Sequence, residues 1–558
     1  MSTPSALITA VSVLDSLVRA GMKHVVVSPG SRSAPLAYAL AALAEAGVVT
    51  SHVRVDERSA GFTALGLALA HGSPVGIIVT SGTAVGNLLP AVMEAYHSGA
   101  PLVVLSADRP LHLRGSGANQ TTHQAGILAS HCRASVDLIG YPEEPAGKQT
   151  AAFNECLSAV TGRSRTHWNE PSDHPLGPVH INCAFDVPLV PDDEIAQVLP
   201  RWAETLVDLT PSPLPVRETA GGWVVGEKLP PQSYKTVVIA GANAGDIAQK
   251  FAQKLGLPLL AEPSSGARFS PNAVRAYPQV VAGHLGAQIE KVVLFGHPTL
   301  TRPITALLAN SAVEVARYEA QPASWHEGNR RERVVADFAS LAEFAGNGHQ
   351  VATSSGEPWL NAWVSAGSDA ARVALGEVEI YRATGEPSGR AQAHAVVLDA
   401  WNNAVEQGEV LVVGSSNLIR DLDFIAPALV VSPTVYANRG LAGIDGTIAT
   451  ATGISLAPLA EGKPAQPVHL ILGDITFLHD ASSLNIGMLE HKPKLRITVF
   501  NDHGGGIFST LEHGALAQKP QFTRAVERYF TTPVDVDLKQ LARAYRSSGI
   551  EVTVVDAA

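Results

Sequence analysis

Short runs of β-branched and aliphatic residues alternate with long Ala/Leu-rich stretches through the first third of the chain. His24–Val27 leads through Ser28-Pro29-Gly30-Ser31-Arg32 into an apolar helical stretch, and Val75–Val79 leads through Thr80-Ser81-Gly82-Thr83 into another. Leu102–Leu105 opens a third unit at Ser106-Ala107-Asp108-Arg109-Pro110. A strand covered on both faces reads as a continuous apolar run, so strand, loop, helix and strand at this spacing predict right-handed βαβ crossovers and a parallel sheet. Ligands then belong at the carboxyl ends of the strands.

The pattern changes between residues 188 and 235, where Pro and charge accumulate, including Pro211–Pro215 and Leu229-Pro230-Pro231, as in a linker. An α/β pattern resumes with Val237–Ala240 before Gly241-Ala242-Asn243-Ala244-Gly245 and continues through Lys291–Phe295. A second stretch of low periodicity, Asn347–Pro358, precedes a helical segment. A third α/β region starts near Ser388, with strands at Val410–Val413, His469–Leu472 and Leu495–Phe500. At 558 residues the chain exceeds what one core supports. The expectation is three α/β domains, each a mostly parallel sheet flanked by helices: 1–190, a linker over 191–235, 236–350, and 385–558. The first and third repeat one pattern, as duplicated domains do.

Charge narrows the ligands. A formal net charge of −11 leaves no basic field for nucleic acid or an anionic membrane, so an anionic substrate needs local Arg clusters. No apolar stretch has the length of a bilayer span, and Asp15 and Arg19 interrupt Ser5–Gly21, unlike the core of a signal peptide. Cys132, Cys156 and Cys183 are odd in number and lack metal-ligand spacing, which predicts buried inert thiols in a reducing compartment, the cytoplasm.

The chemistry concentrates in two places. Ile471-Leu472-Gly473-Asp474-Ile475-Thr476 and, one βα unit later, Asn501-Asp502-His503-Gly504-Gly505-Gly506 both follow apolar strands. Carboxylate and amide side-chain oxygens with a backbone carbonyl suit a hard Mg²⁺ ion shared with phosphate. The glycines let the backbone approach a diphosphate, and a helix start after Asp474 supplies amide donors. Each motif alone is also a helix cap or a turn; their pairing across consecutive units favours the metal–phosphate reading. The other place is Arg54-Val55-Asp56-Glu57-Arg58-Ser59-Ala60-Gly61-Phe62, a strand end entering a helix over 60–70. A Glu there is ordinarily a favourable helix-start charge.

The paired motif resembles the GDG…N signature of thiamine diphosphate enzymes, with Ile475 in place of the usual third-position Gly and Asp502 where many members have Asn. The resemblance implies a site for thiamine diphosphate and Mg²⁺, with Mn²⁺ as an alternative metal. Asp474, Asp502 and the Gly504 carbonyl are the implied ligands, Asn501 being the alternative to Asp502. Glu57 matches the Glu that hydrogen-bonds the cofactor's aminopyrimidine and activates it, and Ile444 the aliphatic wedge that bends the cofactor. Gly82, Thr83, Ser416, Gly443, Ile444, Gly473, Thr476 and Gly504 are the implied cofactor contacts. Because the pyrimidine-binding and diphosphate-binding domains of the family meet across subunits, a homodimer or a dimer of dimers is also implied.

Ser28–Ser33, Thr80–Ala84, Ala107–Pro110, Gly117-Ala118-Asn119-Gln120 and Asn438-Arg439-Gly440 narrow the resemblance to the carboligases of menaquinone biosynthesis. Those decarboxylate 2-oxoglutarate and add the resulting succinyl carbanion equivalent to isochorismate. Ser31, Arg32, Arg109, Asn119 and Gln120 are then expected to hold isochorismate. Arg420 and Arg439 would engage the succinyl carboxylate, and Ile507 and Phe508 would wall the pocket. Bidentate carboxylate recognition favours Arg over Lys. Thr301-Arg302 stands where the family often has a basic pair, here broken by Pro303. Beyond the strand over 549–555, members usually continue through a further helix and strand, so the resemblance implies a shortened end to the third domain. Two readings compete: an acetolactate synthase relative, needing fewer Arg contacts, and a nucleotide-binding doubly wound protein, with no use for both Glu57 and the Asp474/Asp502 pair.

Overall fold

Strands of Val, Ile and Leu, buried on both faces, build three parallel sheets. In this computed structural model the described residues are 5–139, 146–164, 170, 172–209, 229–319, 322–324, 332–428, 431–545 and 548–557. The first sheet holds β1 (His24–Val27), β2 (Thr50–Val53), β3 (Val75–Val79), β4 (Leu102–Asp108), β5 (Ala134–Ile139) and β6 (Val179–Ala184) in the order β2-β1-β3-β4-β6-β5. The central sheet holds β7 (Thr236–Ala240), β8 (Leu259–Ala261), β9 (Lys291–Phe295), β10 (Glu314–Tyr318) and β11 (Arg333–Val335) in the order β11-β10-β9-β7-β8. The third holds β12 (Val410–Val413), β13 (Val435–Tyr436), β14 (Pro467–Gly473), β15 (Lys494–Asn501) and β16 (Glu551–Asp556) in the order β13-β12-β14-β15-β16.

All three sheets share one core: their second, first, third and fourth strands lie side by side in that order. The order reverses between the first and third strands, and a doubly wound sheet opens its binding crevice at such a switch point. One hydrogen bond marks the place in each sheet: Ser28 N to Ile78 O, Gly241 N to Phe295 O and Gly414 N to Ile471 O, each 2.9 Å.

Two expectations are corrected. The helix expected over 60–70 spans Glu57–His71, because Asp56 caps it through the amides of Arg58 and Ser59; Glu57 is therefore its first residue. Part of the expected linker is a helix, Asp193–Glu204, capped by Asp192. Ile195, Leu199 and Ala203, four apart on one face, bury it against the core of the first sheet. Pro211–Pro215 lie outside the described residues.

The outer sheets meet through the Glu57–His71 and Thr447–Leu456 helices. They cross at backbone distance: a Cβ at Gly66 would lie 2.0 Å from Thr450 O, and one at Gly453 would lie 2.1 Å from Thr63 O. Behind the crossing, buried His24 Nδ1 lies 3.1 Å from His52 Nε2, and His24 Nε2 lies 2.9 Å from Ala457 O. A fully buried ion pair joins the central and third domains: Arg268 Nη1 donates to Asp423 Oδ1 at 3.0 Å, and Nη2 to the Asp423 carbonyl at 2.6 Å.

Candidate active site

The crevice of the third sheet opens because β14 leaves β12 early and stays with β15. The β12–β14 register ends at Val413↔Ile471, whereas β14–β15 runs on to Gly473↔Phe500. Into the gap come Ser416, Ile444, Gly473, Asp474, Thr476, Asp502, Gly504, Ile507 and Phe508, all in one pocket lining. Nine of the expected residues are thus together.

Asp474 begins a short helix, Asp474–His479, and among the described residues its buried Oδ2 has no hydrogen-bond partner. Burial raises its carboxyl pKa, against the amides of Ile475 and Gly504 and the side chain of Asp502. Asp502 is pushed up to about 6 by burial and the neighbouring Asp474 charge, with Arg390 pulling the other way. Two adjoining, partly desolvated carboxylates are costly unless a cation sits with them. Asn417, also in the lining, has a buried Nδ2 without an acceptor. An unused acceptor and an unused donor in one pocket fit a metal bound to an anion. Gly504 sits at φ +144°, and a Cβ there would meet Thr531 O at 2.3 Å. Asn501, the alternative ligand, instead donates from Nδ2 to Asp556 Oδ1 at 2.8 Å and is not in the lining.

Gly443, Arg420 and Arg439 stand apart from this lining. Gly443 is in the loop before Ile444, where Asp445 Oδ2 would lie 2.6 Å from a Cβ. Arg420 bonds the pocket's edge, Nη1 donating to Ser416 O at 2.6 Å. Arg439 is buried, with Nε on Thr299 Oγ1 at 3.1 Å, and faces a separate cavity beside Glu94 and Asn243; its Nη1 is unpaired. Its loop is fixed by Glu94, whose carboxylate accepts from Gly440 N at 2.6 Å and Leu441 N at 2.7 Å. Burial raises the Glu94 pKa while those amides oppose it. Arg302 pairs with exposed Glu512 at 2.7 and 3.0 Å.

A second cluster forms at the carboxyl ends of β1, β3 and β4. Ser31 and Arg32 follow β1, and Arg32 Nη1 donates to Phe185 O at 3.0 Å. Burial and the nearby Arg109 lower the Arg32 pKa, against Asp186 and Asp108. Arg109 Nη2 donates to Asn119 O at 2.9 Å. Gln120, at φ +59°, exchanges bonds with Ser81 at 2.8 and 3.0 Å. Gly82, at φ +80°, donates to Gln124 Oε1 at 2.9 Å and precedes exposed Thr83. Glu57 Oε2 accepts from Asn87 Nδ2 at 3.3 Å. Glu57 is not in the Asp474 pocket, whose lining comes wholly from residues 390–508. Of the thiols expected to be buried, Cys156 and Cys183 are and Cys132 is half-buried; desolvation pushes each up to about 12.

Sequence reasoning missed Arg390, Asn417, Gln124 and Glu94. Arg390 and Asn417 flank apolar helices in Ser388-Gly389-Arg390 and Ser416-Asn417, a weak signal; Gln124 and Glu94 act through partners distant in sequence.

Residues 9–127 match the family described as thiamine pyrophosphate enzyme, N-terminal TPP binding domain. A 2-succinyl-5-enolpyruvyl-6-hydroxy-3-cyclohexene-1-carboxylate synthase from Renibacterium salmoninarum is 46% identical, over 97% of this chain and 89% of its own. One from Arthrobacter sp. is 48% identical, over 97% of this chain and 84% of its own. The chain belongs to this synthase family. As a member it is a thiamine diphosphate-dependent enzyme, and the family assignment favours the synthase over an acetolactate synthase relative. Solved structures of two proteins share the synthase's three-domain fold. They are benzoylformate decarboxylase from Polynucleobacter necessarius (TM-score 0.59, 15% identity) and a putative thiamin diphosphate-dependent enzyme from Mycobacterium smegmatis (TM-score 0.62, 16% identity). Each match covers 100% of this chain and 99% of the other.

Proposed function

We propose that this chain decarboxylates 2-oxoglutarate and joins the remaining four-carbon unit to isochorismate in conjugate fashion, releasing CO₂ and forming the product for which its relatives are named, a step of menaquinone biosynthesis. The observation that carries the site assignment is the pocket of Asp474, Asp502 and Asn417, with one unused carboxylate oxygen and one unused amide donor. When bound, thiamine diphosphate supplies a carbon nucleophile and an electron sink for loss of CO₂ from a 2-oxo acid. Asp474, Asp502 and the Gly504 carbonyl would hold Mg²⁺, or Mn²⁺ in its place. Ser416, Gly473 and Thr476 would border the diphosphate, and Ile444 would brace the cofactor.

Glu57 would hold a proton at the aminopyrimidine, its other contact being Asn87. Gly82, Thr83 and Gly443 would border the same ring. Within one chain Glu57 does not enter the Asp474 pocket, which supports a homodimer or a dimer of dimers in which each copy completes the other's site. Arg32 and Arg109 are close enough to repel, and a carboxylate between them relieves that repulsion. With Ser31, Asn119 and Gln120 they form the isochorismate subsite. Arg420 and Arg439 would serve the succinyl carboxylate, with Ile507 and Phe508 as wall; the buried, unpaired Arg439 Nη1 supports that role only if the loop shifts when ligand binds. Three free thiols, none in a disulfide, suit the cytoplasm.

The test is purified protein with thiamine diphosphate, Mg²⁺, 2-oxoglutarate and isochorismate, scored by CO₂ release and product mass. Turnover of pyruvate with neither proposed substrate consumed would overturn the reading. Glu57→Gln is expected to keep cofactor binding and lose turnover by at least about 10²-fold, the scale of a lost proton-transfer group.

A further inference from the structure

The pocket holds two carboxylates, and a diphosphate would add further negative charge that one divalent cation does not cancel. Among the residues lining it, Arg390 is the one cationic side chain. It stands immediately before the Ala391–Gln407 helix and is aimed by Asp421: Nε donates to Asp421 Oδ1 at 3.0 Å, and Nη2 contacts Oδ2. Asp421 is itself buried, and His394 Nε2 lies 3.5 Å from its Oδ1. Asp421 thus occupies one edge of the guanidinium, and Nη1 has no hydrogen-bond partner among the described residues. A guanidinium held along one edge presents its remaining N–H groups in a fixed direction, a geometry suited to phosphate oxygens.

We infer that Arg390 is a ligand-binding residue of this pocket, its guanidinium fixed by Asp421 so that the free edge engages the anionic end of the bound diphosphate. Asp421 is the positioning residue. Burial works against the charge on Arg390, and the Asp421 carboxylate outweighs it, so the group is cationic before any ligand arrives. The inference rests on the reading of this pocket as a thiamine diphosphate site. It adds a cation from the start of the Ala391–Gln407 helix to a site otherwise built from the segments that follow the strands.

The test is calorimetric titration of the full-length, cofactor-free protein with thiamine diphosphate, and separately with thiamine monophosphate, at fixed Mg²⁺. Arg390→Gln is expected to weaken thiamine diphosphate binding at least tenfold and the monophosphate less, with thermal unfolding of the cofactor-free protein still cooperative. Asp421→Asn should give a smaller loss in the same order of ligands. Binding of thiamine diphosphate by Arg390→Gln within twofold of the unsubstituted protein overturns the inference. Should Arg390→Gln not fold, Arg390→Lys decides: a fivefold or greater loss supports a role for the fork, and affinity within twofold removes it. If the unsubstituted protein takes up no thiamine diphosphate with Mg²⁺, the proposed function itself fails and this inference with it.

Discussion

The central and third sheets reach their switch points alike and then part. Gly241 N bonds Phe295 O, and Gly414 N bonds Ile471 O, both at 2.9 Å. In the central sheet the chains go on pairing: Ala242 N donates to His297 O at 3.1 Å, and His297 N returns to Ala242 O at 2.9 Å. That reciprocal pair bridges the two strand ends with backbone, and Ala242, Asn243 and His297 line a cavity beside Arg439. In the third sheet β14 follows β15 to Gly473↔Phe500, and the gap fills with side chains that carry charge. One topology thus forms the same switch point in both sheets, and the two differ by one backbone rung.

The sharpest break of that contrast is Asp474→Ala. It removes the unpaired carboxylate that distinguishes the open crevice, and turnover should fall about 10³-fold or more, equivalent to about 4 kcal/mol of transition-state stabilisation. Steady-state rates together with a cofactor titration check this; a variant retaining a tenth of the activity would remove Asp474 from the site.

Acid should separate the first domain from the central one. Among the described residues the buried histidines, His24, His52, His180, His394 and His469, all lie in the outer domains. Burial is the main cause lowering His24, His180 and His469 to about 4, and it holds His52 well below its usual range. In the third domain the carboxyls of Asp423, Asp480 and Asp502, raised to about 6 by burial, offset His469. Between pH 6.5 and about 4 it is therefore at His24, His52 and His180 of the first domain that the unfolded chain binds more protons than the folded one. Their stabilising contribution is complete above pH 6.5 and is lost as pH falls toward 4. At about 1.4 kcal/mol per unit, His24 alone accounts for at most about 3 kcal/mol. Peptide-resolved hydrogen exchange at pH 7 and pH 4.5 should find β1 and β6, which carry His24 and His180, deprotected before β7 and β9.

The smallest effect comes from a pair of glycines. Gly296, at φ +63° just after β9, would place a Cβ 2.3 Å from Ala242 O, whereas a Cβ at Gly473 meets nothing closer than Phe500 O at 3.9 Å. Gly296→Ala should cost about 2 kcal/mol of stability through strain where the two strand ends are bridged. Gly473→Ala should keep its Tm within about a degree and instead weaken thiamine diphosphate binding several-fold. Equal melting temperatures for the two variants would mean that the crevices do not differ as described.

Much of this was legible in the sequence because apolar runs buried on both faces leave a plain mark: Lys291–Phe295 and Val410–Val413 are strands at the bounds that pattern predicts. The Glu57 helix was read three residues late because Glu57, Arg58 and Ser59 are polar, and only the Asp56 cap joins them to it. The Asp193–Glu204 helix was hidden by Pro200 and its acidic first turn. Within the site, Asp474 and Asp502 were readable because each directly follows its strand. Arg390, Glu94 and the Arg439–Thr299 bond were not, since each depends on a partner that only folding brings near.

The Arg268–Asp423 pair also constrains how this sequence can diverge. Losing either charge alone strands the other in a dry seam, at about 3–5 kcal/mol, whereas exchanging both for apolar residues of matching volume is close to neutral. The two positions lie far apart in sequence, in different domains, yet a lineage that changes one is pressed to change the other. The pair therefore couples the central domain to its neighbour, and a chimera that joins the central domain of one relative to the third domain of another should lose stability when this pair is mismatched.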